Sequence, residues 1–234
     1  MAERARSFRR RLLGWYARAA RDLPWRRTRD PYRVLVSEIM LQQTQVSRVE
    51  QFYPRFLARF PDLATLARAR PRAVREAWDG LGYYARARNL HALARAVLRR
   101  DDATLPDDPA ELVKLPGVGP YTAGAVATFA YEQAVPAVDT NASRVIRRVF
   151  FGERAAPTRP REIWEVARAL VPKDGKRAWR FNQAVMELGA LICRARRPEC
   201  PACPVRPACR TGSRLVAPDQ RGRRQREQSQ RAGQ

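Results

Sequence analysis

The sequence predicts an all-α fold, and three observations support this. Helix-start signals occur where Asp30-Pro31 and Asp108-Pro109 each place a capping residue before a first helical proline. Prolines such as Pro54 punctuate the chain at intervals suited to short helices, and no succession of alternating strands interrupts them. Apolar residues recur at helical spacing near residues 7–20, 33–46, 84–98, 121–131, 160–171 and 179–193.

The composition is that of a folded and strongly basic protein. Of its 234 residues, 45% are apolar, and no apolar run approaches the roughly 20 residues that a membrane helix needs. The 46 Lys and Arg residues against 23 Asp and Glu residues give a net charge of +23. With no apolar stretch of a secretion signal, we expect a cytoplasmic protein. A net charge this high attracts polyanions, of which nucleic acid is the commonest inside cells, so we expect the protein at the nucleoid. A ribosomal or chromatin protein would carry the same excess, and charge says nothing about catalysis.

Composition changes near the end of the chain. Residues 214–234 contain six Arg, two acidic residues and almost no large apolar side chain. Such a segment cannot bury enough surface to offset the entropy of ordering it. We therefore expect a flexible basic tail over residues 213–234.

Four cysteines lie within seventeen residues, in the pattern C-x6-C-x2-C-x5-C. Disulfides are rare in cytoplasmic proteins, so four thiolates this close favour a metal centre. Both zinc and a [4Fe–4S] cluster accept four cysteines, and the spacing alone does not distinguish them. The expected ligands are Cys193, Cys200, Cys203 and Cys209.

A glycine-containing turn lies between two helical stretches, in the segment Leu115-Pro-Gly-Val-Gly-Pro-Tyr-Thr-Ala-Gly124. Gly117 and Gly119 permit a tight turn whose backbone N–H groups, with that of Val118, point outward at a helix start. Such a start suits a phosphate, through the donors and the helix dipole together. Many helical hairpins turn on glycine for packing alone, so this motif is weak by itself.

The hairpin, the later segment Val138-Asp-Thr-Asn141 and the cysteine pattern occur together in the order seen in one family. Over about residues 8–212 the chain resembles the helix–hairpin–helix DNA glycosylases of the endonuclease III superfamily. The resemblance implies a [4Fe–4S] cluster and two helical domains with the base pocket between them. The implied divisions are an N-terminal helix of the cluster domain (1–24), a six-helix domain (25–135) with the hairpin at about 111–131, and the cluster domain (136–212).

Three further segments resemble the adenine DNA glycosylase branch, whose members remove adenine mispaired with guanine or 8-oxoguanine. They are Asp22-Leu-Pro-Trp-Arg26, Ser37-Glu-Ile-Met-Leu-Gln-Gln-Thr-Gln-Val46 and Gly80-Leu-Gly-Tyr-Tyr-Ala-Arg-Ala-Arg-Asn-Leu-His91. We therefore expect a monomer that binds double-stranded DNA containing a mispaired base.

The chemistry implied by this branch needs two carboxyl groups. A general acid must protonate the leaving adenine, and a fixed carboxylate must stabilise the cationic sugar. By resemblance Glu38 is the acid and Asp139 the stabilising carboxylate, while Tyr121 and Asn141 orient them. A surface acid on an amphipathic helix is the alternative for Glu38, and a plain helix N-cap is the alternative for Asp139.

The resemblance also implies the residues that bind DNA. The expected adenine pocket consists of Trp25, Arg26, Leu41 and Gln183. The residues expected to enter the stack or read the opposite base are Gln42, Gln43, Thr44 and Tyr83. Those expected to contact phosphate are Arg194, Arg196 and Arg197, together with the hairpin turn. Trp25 and Tyr83 are alternatively explained as packing aromatics.

The sequence differs from the adenine DNA glycosylase branch at several points, and these differences leave other functions open. Tyr121 occupies the hairpin position of the lysine in strand-cleaving relatives, which predicts a glycosylase without lyase activity. The segment from Val138 to Ala142 differs from the usual V-D-G-N-V. The chain ends about twenty-five residues after Cys209, so no domain that inspects 8-oxoguanine is expected. A thymine or uracil glycosylase acting opposite guanine, and a non-catalytic DNA-binding protein on the same scaffold, both stay open.

Overall fold

The computed structural model describes residues 1–152 and 159–214, and within them the chain forms helices and no β-strand. The prediction of an all-α fold is confirmed. None of the described helices is both long and apolar enough to cross a membrane. The described α-helices are α1 (Ala2–Ala19), α2 (Pro31–Leu41), α3 (Val46–Arg59), α4 (Leu63–Arg68), α5 (Pro71–Ala77), α6 (Ala85–Val97), α7 (Pro109–Leu112), α8 (Pro120–Phe129), α9 (Thr140–Ile146), α10 (Pro160–Leu170), α11 (Gly175–Leu191) and α12 (Arg210–Arg214).

The helices enclose two hydrophobic cores. The first core is built from buried residues between Leu23 and Ala137. The second core combines α1 with buried residues between Ala142 and Ala208, so the start of the chain packs on its C-terminal half. Met186 on α11 packs against both cores and marks their junction.

Helix α2 begins as predicted but ends earlier than expected. The Asp30 carboxylate accepts the Arg33 N–H at 2.9 Å, and Pro31 is the first helical residue. The helix ends at Leu41, so the helical prediction over 33–46 is wrong in its last part. The C-cap residue Gln42 already has an extended backbone, and Gln43 follows with a φ of +56° before α3 begins at Val46.

Pro54 lies inside α3, and its interpretation as a helix boundary is wrong. A proline within a helix removes one backbone hydrogen bond. Here the helix buries Val49, Tyr53 and Phe56 on one face, at spacings of four and three residues. Packing of that face against the first core outweighs the lost bond.

The predicted basic tail falls mostly outside the described residues. Helix α12 extends to Arg214, two residues beyond the predicted end of the cluster domain. Residues 215–234 are not among those that the structure describes.

Candidate active site

A cleft of about 630 Å³ at the junction of the two cores brings together most of the predicted site. Its walls come from the end of α2, the starts of α8 and α9, and one face of α11. The predicted residues that line it are Glu38, Tyr121, Asp139, Asn141, Trp25, Arg26, Leu41, Gln183, Gln42, Gln43 and Thr44. Sequence reasoning missed other residues of its lining, namely Arg21, Leu23, Val46, Val138, Thr140, Met186, Glu187 and Ala190.

Glu38 and Tyr121 meet directly, although they are 83 positions apart. The Tyr121 hydroxyl donates a 2.5 Å hydrogen bond to Glu38 Oε2 and also lies 3.7 Å from the sulfur of Met186. Glu38 is only 4% exposed, which removes its alternative interpretation as a surface acid.

The burial of Glu38 changes its acidity. Loss of water around the carboxylate, and after it the charge of Asp139, raise the pKa of Glu38, whose net value is about 7. The hydrogen bond from Tyr121 and the charge of Arg26 act in the opposite direction. Glu38 is therefore protonated in a large fraction of molecules at neutral pH, as a general acid requires.

Asp139 caps α9 and faces the cleft at the same time. Its Oδ1 accepts the Ala142 N–H at 2.6 Å, and its Oδ2 accepts the Asn141 side-chain N–H at 2.8 Å. Burial raises the pKa of Asp139, while these two hydrogen bonds oppose the rise. Asn141 is held in turn by Arg144, which donates to its Oδ1 at 2.7 Å.

Gly189 on α11 lets Asn141 approach the helix closely. A Cβ atom added at Gly189 would lie 2.6 Å from the Cβ atom of Asn141, which is closer than real contacts allow. Arg144 on α9 also links this helix to α11, because it donates a hydrogen bond to the Gly189 carbonyl at 2.8 Å. The start of α9 is thus fixed against α11.

The predicted pocket residues Arg26 and Gln183 belong to a buried ionic network. Arg26 donates to Gln183 at 2.8 Å and to Glu187 at 2.7 Å, and Arg21 donates to Glu187 at 2.8 Å. Burial raises the pKa of Glu187, but the hydrogen bonds from Arg21 and Arg26 prevail and hold it at about 2. Glu187 follows Gln183 by four residues on α11, so helical spacing was the signal that could have identified it.

Trp25 and Leu41 form apolar parts of the cleft wall. Trp25 is 6% exposed and packs edge-to-face on Tyr53, with ring centroids 5.7 Å apart. It therefore serves both the first core and the cleft lining, so the packing and pocket interpretations are compatible.

Two non-glycine residues that were predicted to enter the base stack have left-handed backbone conformations. Gln43 lines the cleft with a φ of +56°, and Tyr83 has a φ of +48° with 63% of its surface exposed. Tyr83 is not part of the cleft lining. Its exposure removes the alternative that it is a packing aromatic.

The hairpin turn joins α7 to α8 and is shaped by one glycine. Gly117 has a φ of +77°, and a Cβ atom there would lie 2.6 Å from the Cβ atom of Asn89. Val118 is buried, and its N–H donates to the Leu115 carbonyl at 3.2 Å, so the prediction that this N–H points outward is wrong. Gly119 is the N-cap residue of α8, without a side-chain cap.

The four cysteines line one pocket between α9, α11 and the turns over residues 198–212. Burial raises the pKa of Cys203 to about 11, and the other three thiols contribute to the rise. Donors lie near two of the sulfurs: the Gly212 N–H lies 3.3 Å from the Cys209 sulfur, and Arg148 Nη1 lies 3.6 Å from the Cys193 sulfur. These donors suit thiolates. Within the described part of the chain, no group of three or more His, Cys, Asp or Glu side chains is placed so that it could hold a single metal ion.

The loop between Cys193 and Cys200 exposes its three arginines. Arg194 forms an ion pair with Glu199, whereas Arg196 and Arg197 form none with the described residues. Arg148 stabilises the loop by donating hydrogen bonds to the carbonyls of residues 194 and 195 at 2.7 and 3.0 Å.

Residues 36–183 match the family model of the HhH-GPD superfamily base excision DNA repair protein. This match covers more than half of the chain. The chain belongs to this superfamily. The expectation from the hairpin and cysteine motifs is thereby confirmed for the family.

Similar proteins come from bacteria and animals. The chain is 48% identical over 195 residues to an adenine DNA glycosylase of Mycolicibacterium smegmatis and 47% identical over 197 residues to one of Mycobacterium tuberculosis. It is 43% identical over 220 residues to a human adenine DNA glycosylase. These alignments cover 83%, 83% and 89% of this chain, but only 66%, 64% and 40% of the relatives.

Solved structures share the fold. A thermostable thymine-DNA glycosylase superposes with a TM-score of 0.84 at 30% identity, over 91% of this chain and 98% of the other. A trapped endonuclease III–DNA covalent intermediate superposes with a TM-score of 0.79 at 24% identity, over 92% and 99% of the two chains. The second likeness concerns the fold alone.

Proposed function

We propose that this superfamily member is a monofunctional DNA glycosylase that hydrolyses the bond between adenine and its sugar, acting on adenine opposite guanine or 8-oxoguanine. The observation that carries the proposal is the buried Glu38 carboxyl, with its raised pKa and its Tyr121 hydrogen bond, in a cleft that Asp139 also lines. The proposal takes its substrate from the adenine DNA glycosylases that are 43–48% identical to this chain.

Glu38 acts first in this reaction. Protonated Glu38 donates its proton to the ring of the flipped adenine as the bond to the sugar stretches, because an adenine anion is a poor leaving group. The Glu38 carboxylate then accepts a proton from the attacking water. Tyr121 keeps the carboxyl oriented throughout, since its hydroxyl donates to one oxygen and leaves the other free.

Asp139 stabilises the positive charge that develops on the sugar. The carboxylate is already fixed by the Ala142 and Asn141 N–H groups, so no reorganisation accompanies the reaction. Arg144 and Gly189 fix Asn141 in turn. The pocket wall of Trp25, Arg26, Leu41 and Gln183 holds the base.

Tyr121 supports hydrolysis without strand cleavage. Strand cleavage by a Schiff base needs an amine beside the sugar, and a phenol cannot form one. The Tyr121 hydroxyl is moreover engaged with Glu38, and burial raises its pKa well above the usual value. The proposed product is therefore an abasic site in an intact strand.

The cysteine pocket suits a [4Fe–4S] cluster, which we propose as the cofactor. Cys193, Cys200, Cys203 and Cys209 would hold it, and it would supply a structural cross-link that fixes the loop carrying the exposed arginines. Arg194, Arg196 and Arg197 would then contact DNA phosphates from that loop, together with Gly119 at the start of α8. We propose a monomer that works on double-stranded DNA at the nucleoid.

The second candidate is removal of thymine or uracil opposite guanine. It is favoured by one observation, the TM-score of 0.84 to a thymine-DNA glycosylase. Against it stands the higher identity, 48% compared with 30%, to an adenine enzyme. A purely DNA-binding role would not require the raised pKa of Glu38.

A substrate panel separates these functions. Purified protein in excess is mixed with duplexes containing A:8-oxoguanine, A:G, T:G, U:G or hypoxanthine:T, and abasic sites are then cleaved with alkali. Excision of adenine alone is expected, and Glu38→Gln serves as the matched inactive control. Excision of thymine or uracil without adenine would overturn the adenine assignment, and no excision from any duplex would favour the binding role.

A further inference from the structure

Arg86, on α6, is a buried guanidinium that forms no ion pair with any carboxylate of the described residues. It is 8% exposed, and burial lowers its pKa. Its two terminal nitrogens donate to main-chain carbonyl oxygens at 2.5 to 3.1 Å. The five acceptors belong to Ile39, Met40, Gln42, Leu81 and Gly82.

These acceptors come from two segments that are far apart in sequence. Three of them form the end of α2, where the last carbonyls of a helix have no intrahelical partner and carry the negative end of its dipole. The other two lie in the loop that leads into α6, where Trp78 also donates to the Gly82 carbonyl at 3.2 Å. Backbone dipoles therefore stabilise the charge of Arg86, and one side chain joins both segments.

Each segment continues directly into a residue with a strained backbone. Gln43 follows Gln42 with a φ of +56°, and Tyr83 follows Gly82 with a φ of +48°. Such conformations of non-glycine residues persist only where the surroundings impose them. Arg86 also faces Tyr83, with its guanidinium carbon 5.6 Å from the ring centroid.

We propose that Arg86 is a positioning residue that fixes the Gln43 and Tyr83 loops relative to each other, so that both side chains enter the base stack as one unit. The inference rests on the proposed function and on the family resemblance, which implies that these two residues enter the stack near the base opposite the flipped nucleotide. Arg86 itself is too buried to contact DNA. Its contribution lies in setting the spacing and direction of the two exposed side chains.

The test measures duplex binding rather than catalysis, with base unstacking followed in the same duplex. The duplex carries a tetrahydrofuran abasic analogue opposite guanine, with fluorescent 2-aminopurine beside that guanine, so that insertion of Tyr83 raises the fluorescence. Arg86→Lys replaces two donor nitrogens with one, which cannot bridge both segments. We expect Tyr83→Ala to weaken duplex binding about tenfold in the parent but less than about threefold in Arg86→Lys.

The control separates positioning from stability. Leu90→Ala, on the same helix, removes a fully buried side chain that contributes to the first core. It should lower the melting temperature while keeping the full effect of Tyr83→Ala. If Arg86→Lys fails to fold, Arg86→Gln removes the buried charge altogether and should show the same reduced dependence on Tyr83.

The outcomes distinguish this inference from the proposed function. Equal effects of Tyr83→Ala in the parent and in the Arg86 variants would overturn the positioning role, even if adenine is excised normally. A reduced effect would support it even if the substrate panel shows excision of a different base, because binding and unstacking do not require cleavage.

Discussion

The Tyr121 hydroxyl and the Glu38 carboxyl form a 2.5 Å hydrogen bond that joins the first turn of α8 to the last turn of α2. Burial raises the pKa of both groups. The hydrogen bond from Tyr121 acts against this rise at Glu38, whereas the charge of Glu38 adds to it at Tyr121. The pair thus combines a phenol that stays protonated with a carboxyl that titrates near neutral pH.

Removing the phenol oxygen should make Glu38 a weaker acid. In Tyr121→Phe the carboxylate loses its stabilising donor, so the pKa of Glu38 should rise above about 7 by roughly half to one unit. The falling limb of the pH profile for single-turnover excision should move to higher pH. Tyr131→Phe, which removes a hydroxyl that donates to the Leu105 carbonyl, is the matched control. If the falling limb of the pH profile stayed at its wild-type pH in Tyr121→Phe, the hydrogen bond from Tyr121 would not set the pKa of Glu38.

Replacing Glu38 should stabilise the protein at high pH. The folded pKa of about 7 exceeds the value of 4.5 for a free glutamate, so the native state holds the proton more tightly than the unfolded state. The contribution of Glu38 to the free energy of unfolding is fully present below about pH 4.5 and is lost as the pH rises through about 7. Relative to wild type, Glu38→Gln should therefore gain up to roughly 3 kcal/mol above pH 7 and nothing near pH 4. Urea unfolding at pH 4.5 and pH 8 measures this difference, and an equal effect at both would refute it.

The sequence predicted the helical class and the residues of the cleft because both follow from local patterns and motif resemblance. Asp30-Pro31 marked the start of α2, and the motifs named Glu38 and Asp139. The predicted end of α2 was wrong, and the carbonyls at the actual end accept hydrogen bonds from Arg86, which is more than 40 residues away in the chain. Buried partners of this kind leave no local signal.

The ionic network of Arg21, Arg26 and Glu187 was missed for a related reason. Charged residues on helices are usually solvated, and nothing in the pattern of α11 marked Glu187 as 1% exposed. Only its spacing of four residues from Gln183 pointed to the same helix face. The site residues that belong to a sequence motif could therefore be predicted. The contacts of Arg21 and Arg26 with Glu187 could not, because these residues are far apart in the sequence.

The product strand should remain intact after base removal. Tyr121 offers no amine, so borohydride should trap no covalent protein–DNA adduct, and strands should break only after alkali or heat. Tyr121→Lys, which places an amine in the cleft, serves as the positive comparison and should give trapped adduct. Efficient trapping by the natural protein would contradict a monofunctional mechanism.

The purified protein should contain iron. If the four thiolates hold a [4Fe–4S] cluster, the protein should be yellow-brown, absorb broadly near ~400 nm and contain about four irons per chain. Cys203→Ser should reduce the iron content and weaken DNA binding through the Cys193–Cys200 loop. A colourless protein with one zinc per chain would contradict the cluster.

The central claim is that protonated Glu38 drives adenine excision, and the pH dependence of that step tests it most directly. Single-turnover excision from an A:8-oxoguanine duplex is measured from pH 5 to about 9 for wild type and Glu38→Gln, with binding measured in parallel. The wild-type rate should fall as pH rises through about 7, while Glu38→Gln should bind DNA normally and lose on the order of 10²–10⁴-fold in rate. Excision by Glu38→Gln within about tenfold of wild type would assign the acid to another residue.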